Sequence, residues 1–419
     1  MDDDQKNHLK AYGIAYWTIS KQLEVDWLLN YRGGSFLIKY NKTVEDELKI
    51  RGVSYEVLAD GKVVNLLNEI SDPAVNMEMV KLEKTPKIAV YSPKSKLPWD
   101  DAVTLVLTYA EIQFLIDTVC QNYKVGATPE ITLEANPDDL SNDRIIELSK
   151  SPINRLSIGI QSFFEDDLRM MNRAHNALEA ETCLAEAVKY FDNISIDLIY
   201  GVPGMTNERW IHNVNKALSF GVPHISSYAL TVEPKTALDK FVKKGVIAQP
   251  SDEAAQEHFL LLVDTLQANG FIHYELSNFG KEGYFSKNNT AYWLGKKYVG
   301  IGPSAHSYDG IHRSWNIANN ALYLKGIEEN QRPAETEKLT PADRYNEYVM
   351  TGLRTIWGVS VQRVHDELGK LFSDYLLKES DKFIGQGLLV NDNGIIKTTR
   401  NGKFLADGIA SDLFFINLD

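Results

Sequence analysis

EITLEANPDDL at residues 130–140, RLSIGIQSF at 155–163, ISIDLIYGVPG at 194–204 and HISSYALTVEP at 224–234 decide the fold. Each block holds a short run rich in Ile, Leu, Val or Tyr. Each run ends on turn formers such as Asn136–Pro137 or Gly201–Val202–Pro203–Gly204. Runs bounded in this way read as β-strands, here 131–135, 155–160, 194–200 and 224–230. Helical spacing fills the gaps. In Ala177–Phe191, residues Leu178, Cys183, Leu184, Ala187, Val188 and Phe191 recur at intervals that put them on one side of a helix. Strand–helix alternation of this kind predicts βα units and a parallel sheet, open or closed into a barrel.

Polar residues interrupt these strands where a buried parallel strand is ordinarily apolar. Glu134 ends the first run, Gln161 follows the second, Asp197 sits inside the third and Tyr228 falls late in the fourth. Any one of them reads equally well as a cap or a satisfied core group. Four on successive strands, near the ends where βα folds collect functional groups, favour a ligand site.

These blocks, together with RAH (173–175), YELSNF (274–279), YVGIGPSAHSY (298–308) and Arg313–Asn316, resemble in order and spacing one known family. It is the radical S-adenosylmethionine family of oxygen-independent coproporphyrinogen III oxidases, and within it the heme chaperone (HemW) branch. The resemblance covers about residues 113–419. It implies an α/β fold: an incomplete, TIM-like βα barrel with S-adenosylmethionine at the strand ends. By position it implies that Glu134 contacts the methionine end of that ligand and that Gln161 and Arg173 lie beside it. It likewise implies that Asp197 holds ribose hydroxyls and that backbone groups near Ala229 flank the adenine. A guanidinium suits a carboxylate through paired hydrogen bonds, as does a carboxylate the ligand's amino group.

The chain departs from the family in two places. The family carries a Cys-x3-Cys-x2-Cys loop whose thiolates hold a 4Fe–4S cluster, followed by a glycine-rich strand end. Neither is present in this chain, which has two cysteines, Cys120 and Cys183, 63 residues apart in predicted helices. The resemblance therefore implies a family cofactor whose ligands are missing, and it leaves open whether the chain is an enzyme. The chaperone branch reads His-Asn-x-x-Tyr-Trp where this chain reads Asn288, Asn289, Tyr292 and Trp293. Heme ligation at Asn288 is not expected, and His306 is the remaining candidate to line a heme site.

Length and composition set the frame. A chain of 419 residues predicts two or three domains, and a net charge of −13 argues against nucleic-acid partners. No apolar run is long enough to span a bilayer, and MDDDQKNHLK lacks the layout of a signal peptide. With two cysteines, a reducing, cytoplasmic location is the expectation. Residues 1–86 read as a separate α+β segment of unknown role. In it 13–18, 24–31 and 35–40 are predicted strands and 43–51 and 63–70 predicted helices. The stretch to about residue 112 resembles the start of asparagine synthetase B-like proteins from Bacteroidetes, without an N-terminal catalytic cysteine.

Residues 87–330 are assigned to the partial barrel. They begin with a predicted strand at Lys87–Tyr91 and a helix over about 101–123 capped by Asp100. Strands are also predicted at 274–279 and 298–301. Residues 331–419 are assigned to a C-terminal helical, winged-helix-like domain. There Thr340 caps a helix with Pro341 in its first turn, and a hairpin turns at Asn391–Gly394. Three functions follow from these readings. The first is a heme chaperone that takes a heme or porphyrin ligand and passes it to an acceptor protein, a membrane-associated one included. The second is a coproporphyrinogen oxidase-like enzyme, and the third a non-functional fusion product.

Overall fold

A computed structural model of the chain describes residues 11–71 (apart from 12, 13, 16, 20, 22, 30 and 52), 77–82, 108–232 and 237–416. The expected strand at Lys87–Tyr91 and the loop after it lie outside the described residues. The chain divides into two compact units, residues 1–94 with 296–339, and residues 95–295 with 340–419.

In the first unit, strands β1 (Val25–Leu29), β2 (Ser35–Ile38) and β3 (Glu78–Leu82) form an antiparallel sheet in the order β2-β1-β3. Helices α1 (Lys42–Arg51) and α2 (Asp60–Ile70) lie between β2 and β3 in the chain. The expected strand over 13–18 is not formed, and the described positions from 11 to 19 are helical. Ala11, Ile14, Ala15, Thr18 and Ile19 are buried there, at three- and four-residue spacing, which only a helix can turn to one side.

The second unit opens with α3 (Tyr109–Asn122). Its N-cap is Thr108; the expected cap, Asp100, lies outside the described residues. The Thr108 hydroxyl accepts from the Glu111 N–H while the Glu111 carboxylate accepts from the Thr108 N–H, a reciprocal capping box. Then come β4 (Thr132–Ala135), α4 (Asn142–Leu148), β5 (Arg155–Gln161), α5 (Glu165–Met170), α6 (Ala177–Ala187), β6 (Ile194–Tyr200), α7 (Asn207–Ser219) and β7 (His224–Ala229). All four strands are parallel neighbours, as the sequence predicts. After α8 (Asp252–Ala268), the chain adds β8 (Ile272–His273) and β9 (Asn278–Gly280), giving the sheet order β4-β5-β6-β7-β9-β8. The expected strand over 274–279 is thus broken in two. It folds back on itself, with His273 Nε2–H donating to the Leu276 carbonyl at 3.0 Å, and β8 pairs antiparallel with β9. Helix α9 (Lys287–Trp293) follows.

The pleat sorts this sheet into two chemistries. Leu156, Ile158, Ile160, Ile196, Leu198 and Ile225 point one way, are fully buried, and join the helices in the main core. Registered neighbours Glu134, Ser157 and Ser195 point the other way, as do Asp197, Ser226 and Asn278.

The first unit's other segment carries an antiparallel sheet of β10 (His306–Tyr308), β11 (His312–Asn316) and β12 (Ala334–Lys338). The expected strand at 298–301 is reduced to one bridge, Tyr298 with Tyr308.

The chain ends in α10 (Pro341–Leu353), β13 (Val359–Ser360), α11 (Val361–Leu368), α12 (Lys370–Gly385), β14 (Leu389–Asp392), β15 (Ile395–Thr398), α13 (Arg400–Lys403) and α14 (Ala406–Asp412). Thr340 caps α10 with Asp343 in a reciprocal box. Helices followed by a two-stranded wing make the winged-helix arrangement, closed around Tyr345, Leu376, Leu389 and Ile396. This module is seated on the sheet margin. Ile356 N–H donates to the Tyr274 carbonyl at 3.0 Å, Arg400 grips both oxygens of Asp264 at 2.6 and 2.7 Å, and Lys403 Nζ donates to the His273 carbonyl at 3.2 Å.

Candidate functional site

The polar residues at the ends of β4 and β5 are brought together by one distorted turn. The pairing of β5 with β6 shifts register between Ile158 and Gln161. Ser162 N–H donates to the Ile160 carbonyl at 2.8 Å, closing a three-residue turn around Gln161, whose φ is +58°. Non-glycine residues adopt this conformation rarely, and such strain collects at ligand sites. The turn throws the Gln161 amide back over Gly159. A Cβ on Gly159 would lie 2.6 Å from Gln161 Nε2, 2.9 Å from Asn136 Oδ1 and 3.4 Å from Arg173 Nη2, so a side chain there would push these polar groups out of place.

Arg173 arrives by a second local device. Helix α5 ends in Asn172 at φ +55°, and Arg173 N–H reaches back to the Leu168 carbonyl at 2.9 Å. The guanidinium then donates to Asn136 Oδ1 at 2.9 Å. Gln161 is 6% exposed, yet its Oε1 has no hydrogen-bond partner among the described residues. A buried amide oxygen left free beside a guanidinium is a place for a ligand's donor.

Asp197 stands on β6, the strand beside β5, on the same face as Glu134. Burial raises its carboxyl from 3.8 to about 6; the Ser226 hydroxyl opposes the shift and the Glu134 charge adds to it. Arg155 and Arg173 pull the other way. Glu134 is exposed at the end of β4. Ala229 ends β7 beside Tyr200, where Leu230 N–H donates to the Tyr200 carbonyl at 2.8 Å. Glu134, Gln161, Arg173 and Asp197 therefore share one side of the sheet. His306 belongs to the other compact unit, exposed on β10 with its ring 6.1 Å from that of Trp315. Asn288 is exposed in the first turn of α9.

Below the strand ends, the same face holds a chain of buried groups that sequence reasoning missed. Tyr274 Oη accepts from Ser286 N–H at 3.3 Å and is hydrogen-bonded to His224 Nε2 at 2.8 Å. His224 Nδ1 is in turn hydrogen-bonded to Ser195 Oγ at 2.7 Å. Ser195 lies 3.4 Å from Ser226, which donates to Asn278 Oδ1 at 2.7 Å, and Asn278 donates in turn to the Glu275 carboxylate. Burial, then the Arg155 charge, pushes His224 down to about 3, which keeps the ring neutral. Polar residues two apart, Ser195 with Asp197 and His224 with Ser226, are the sequence signal of this polar face.

The cysteines do not fit an iron–sulfur cluster. Cys120 is exposed on α3 and Cys183 is buried in α6. Burial, with Asp138 and Asp139 nearby, pushes the Cys183 thiol up to about 12, the opposite of a thiolate ligand. Among the described residues no three His, Cys, Asp or Glu are placed to hold a metal.

A partial parallel βα barrel with a polar strand-end site defines a radical S-adenosylmethionine-type fold. The pattern of the Radical SAM superfamily matches residues 101–217, and that of the HemN C-terminal domain matches 339–405. The solved structure titled "Coproporphyrinogen III oxidase (HemN) from Escherichia coli is a Radical SAM enzyme" is similar in fold, at TM-score 0.63 and 22% identity, over 74% of this chain and 75% of that one. The heme chaperone HemW of Bacillus subtilis is 33% identical over 306 residues, 72% of this chain and 81% of that protein. The bovine mitochondrial radical S-adenosyl methionine domain-containing protein 1 is 36% identical over 321 residues, 71% of each. The chain belongs to the heme chaperone HemW family. None of these findings supports the likeness of residues 1–112 to asparagine synthetase B-like proteins.

Proposed function

We propose that this chain is a heme chaperone that binds S-adenosylmethionine at its strand-end site and does not cleave it. The relationship that carries the reading is 33% identity across 81% of the Bacillus subtilis chaperone. That relationship supports the proposed partner set, a heme or porphyrin ligand and a heme-acceptor protein, and a cytoplasmic location is proposed with it. Among the described residues no helix is long and apolar enough to cross a membrane.

S-adenosylmethionine, when bound, supplies a sulfonium whose reductive cleavage requires an electron donor. Glu134 accepts from the ligand's amino group, Arg173 pairs with its carboxylate, and the free Gln161 Oε1 takes a further donor. Asp197, held near 6, accepts ribose hydroxyls when ionised. Backbone groups near Ala229 flank the adenine. His306 is the proposed lining residue for heme, because the chaperone branch's histidine is Asn288 here. The oxidase reading rests on the fold match alone and has no cluster ligands to support it.

Two measurements test this. Heme titration followed by stoichiometric transfer to an apo-acceptor is expected, with no porphyrinogen turnover. Anaerobic reconstitution with iron and sulfide is expected to leave the chain without a cluster. About four irons per chain with release of 5′-deoxyadenosine would overturn the proposal.

A further inference from the structure

His175 takes no part in the ligand contacts above, yet it is 2% exposed and lies against the turn that aims Gln161. Its Nε2 is 3.1 Å from the Ile160 carbonyl. A carbonyl can only accept, so Nε2 carries the proton and donates. The same carbonyl accepts from Ser162 N–H to close the turn at Gln161. The other ring nitrogen lies 3.7 Å from Asp138 Oδ1, beyond hydrogen-bond range but within a charge contact. Burial works against ionisation of Asp138, but the His175 contact, its own backbone N–H and the Arg173 charge together outweigh burial, and the carboxyl is held below its ordinary value. Two residues earlier, Arg173 is bonded to Asn136. The segment 173–175 therefore joins the end of β4, at Asn136–Asp138, to the end of β5, at Ile160–Gln161.

We propose that His175 is a positioning residue: its Nε2–H fixes the Ile160–Gln161 peptide, holding Gln161 at positive φ with its amide over Gly159. Without that donor the buried carbonyl keeps one partner and the peptide plane is free to turn. Gln161 then relaxes toward the ordinary negative-φ region and its amide leaves the site. The ligand part of this inference rests on the S-adenosylmethionine reading; the conformational part does not.

The test compares His175→Gln, whose side-chain amide reaches the place of Nε2, with His175→Asn, whose shorter amide stays near Nδ1. S-adenosylmethionine affinity is read by calorimetry and hydrogen exchange by the amides of Ser162 and Phe163. The expected result is exchange at least about tenfold faster and affinity about tenfold weaker in the Asn variant, with both restored by Gln. Equal exchange at these amides in the Asn variant, the Gln variant and the parent overturns the proposal. A parent chain that does not bind S-adenosylmethionine defeats the ligand reading alone, and the exchange comparison still decides the role of His175.

Discussion

The two faces of the central sheet use the same four strands for opposite ends. One face is a continuous layer of Leu156, Ile158, Ile160, Ile196, Leu198 and Ile225, closed off by helices. The other carries Glu134, Asp197, Arg155, His224 and Ser226, with charges that disturb one another and a glutamine in a rare backbone conformation. Stability comes from the first face. The second is held in place by it, since polar groups set close together in low dielectric persist only where the surrounding packing over-determines them.

The largest effect is expected from breaking the apolar face. Ile196→Ala removes a fully buried side chain between two parallel neighbours and should cost about 2–5 kcal/mol in urea unfolding. A loss under about 1 kcal/mol would mean that this layer is not the core.

Crowding the polar face is a sharper cut. Gly159→Ala places a methyl 2.6 Å from Gln161 Nε2 and 2.9 Å from Asn136 Oδ1. Overpacking of this kind costs about 1–3 kcal/mol. S-adenosylmethionine binding should fall by more than that stability loss accounts for. Equal affinities for variant and parent would show that the cradle over Gly159 is not where the ligand lies.

The smallest effect is the most diagnostic, because it has the unusual sign. Asp197 titrates near 6 in the folded chain against an ordinary 3.8. Between those values the folded state binds more protons than the unfolded one, so stability should fall as pH rises through that window. Asp197→Asn should flatten that slope and stabilise the chain at pH 7 by on the order of 1 kcal/mol while weakening ligand binding. A variant less stable than the parent at pH 7 would place Asp197 among the structural groups.

The parallel strands were readable because β5 and β6 are short runs rich in Ile and Leu, bounded by turn formers and separated by segments of helical spacing. Glu134, Gln161 and Asp197 stood out for the converse reason, as polar interruptions near strand ends. His224 did not, since its partners Ser195 and Tyr274 lie 29 and 50 residues away and only the folded sheet brings them near. The helical positions among the described residues from 11 to 19 read as a strand because aromatic and branched residues there favour strands locally. Burial of Ile14 and Ile19 on one side overrides that preference. The break at Tyr274–Ser277 has no glycine or proline to announce it. It is made by long-range contacts, among them the bridge between Glu275 and Thr355.

The two margins of the sheet bear on how the chain behaves at high concentration. At the β8 margin, the terminal module covers backbone that would otherwise recruit another strand. At the β4 margin, the described residues show pairing on the β5 side alone, and the strand has only four residues. An exposed glutamate at its third position and a proline two residues past its end oppose a newcomer's charge and hydrogen bonds. Glu134 is thereby expected to disfavour edge-to-edge self-association. Replacing it by an apolar residue is expected to lower colloidal stability.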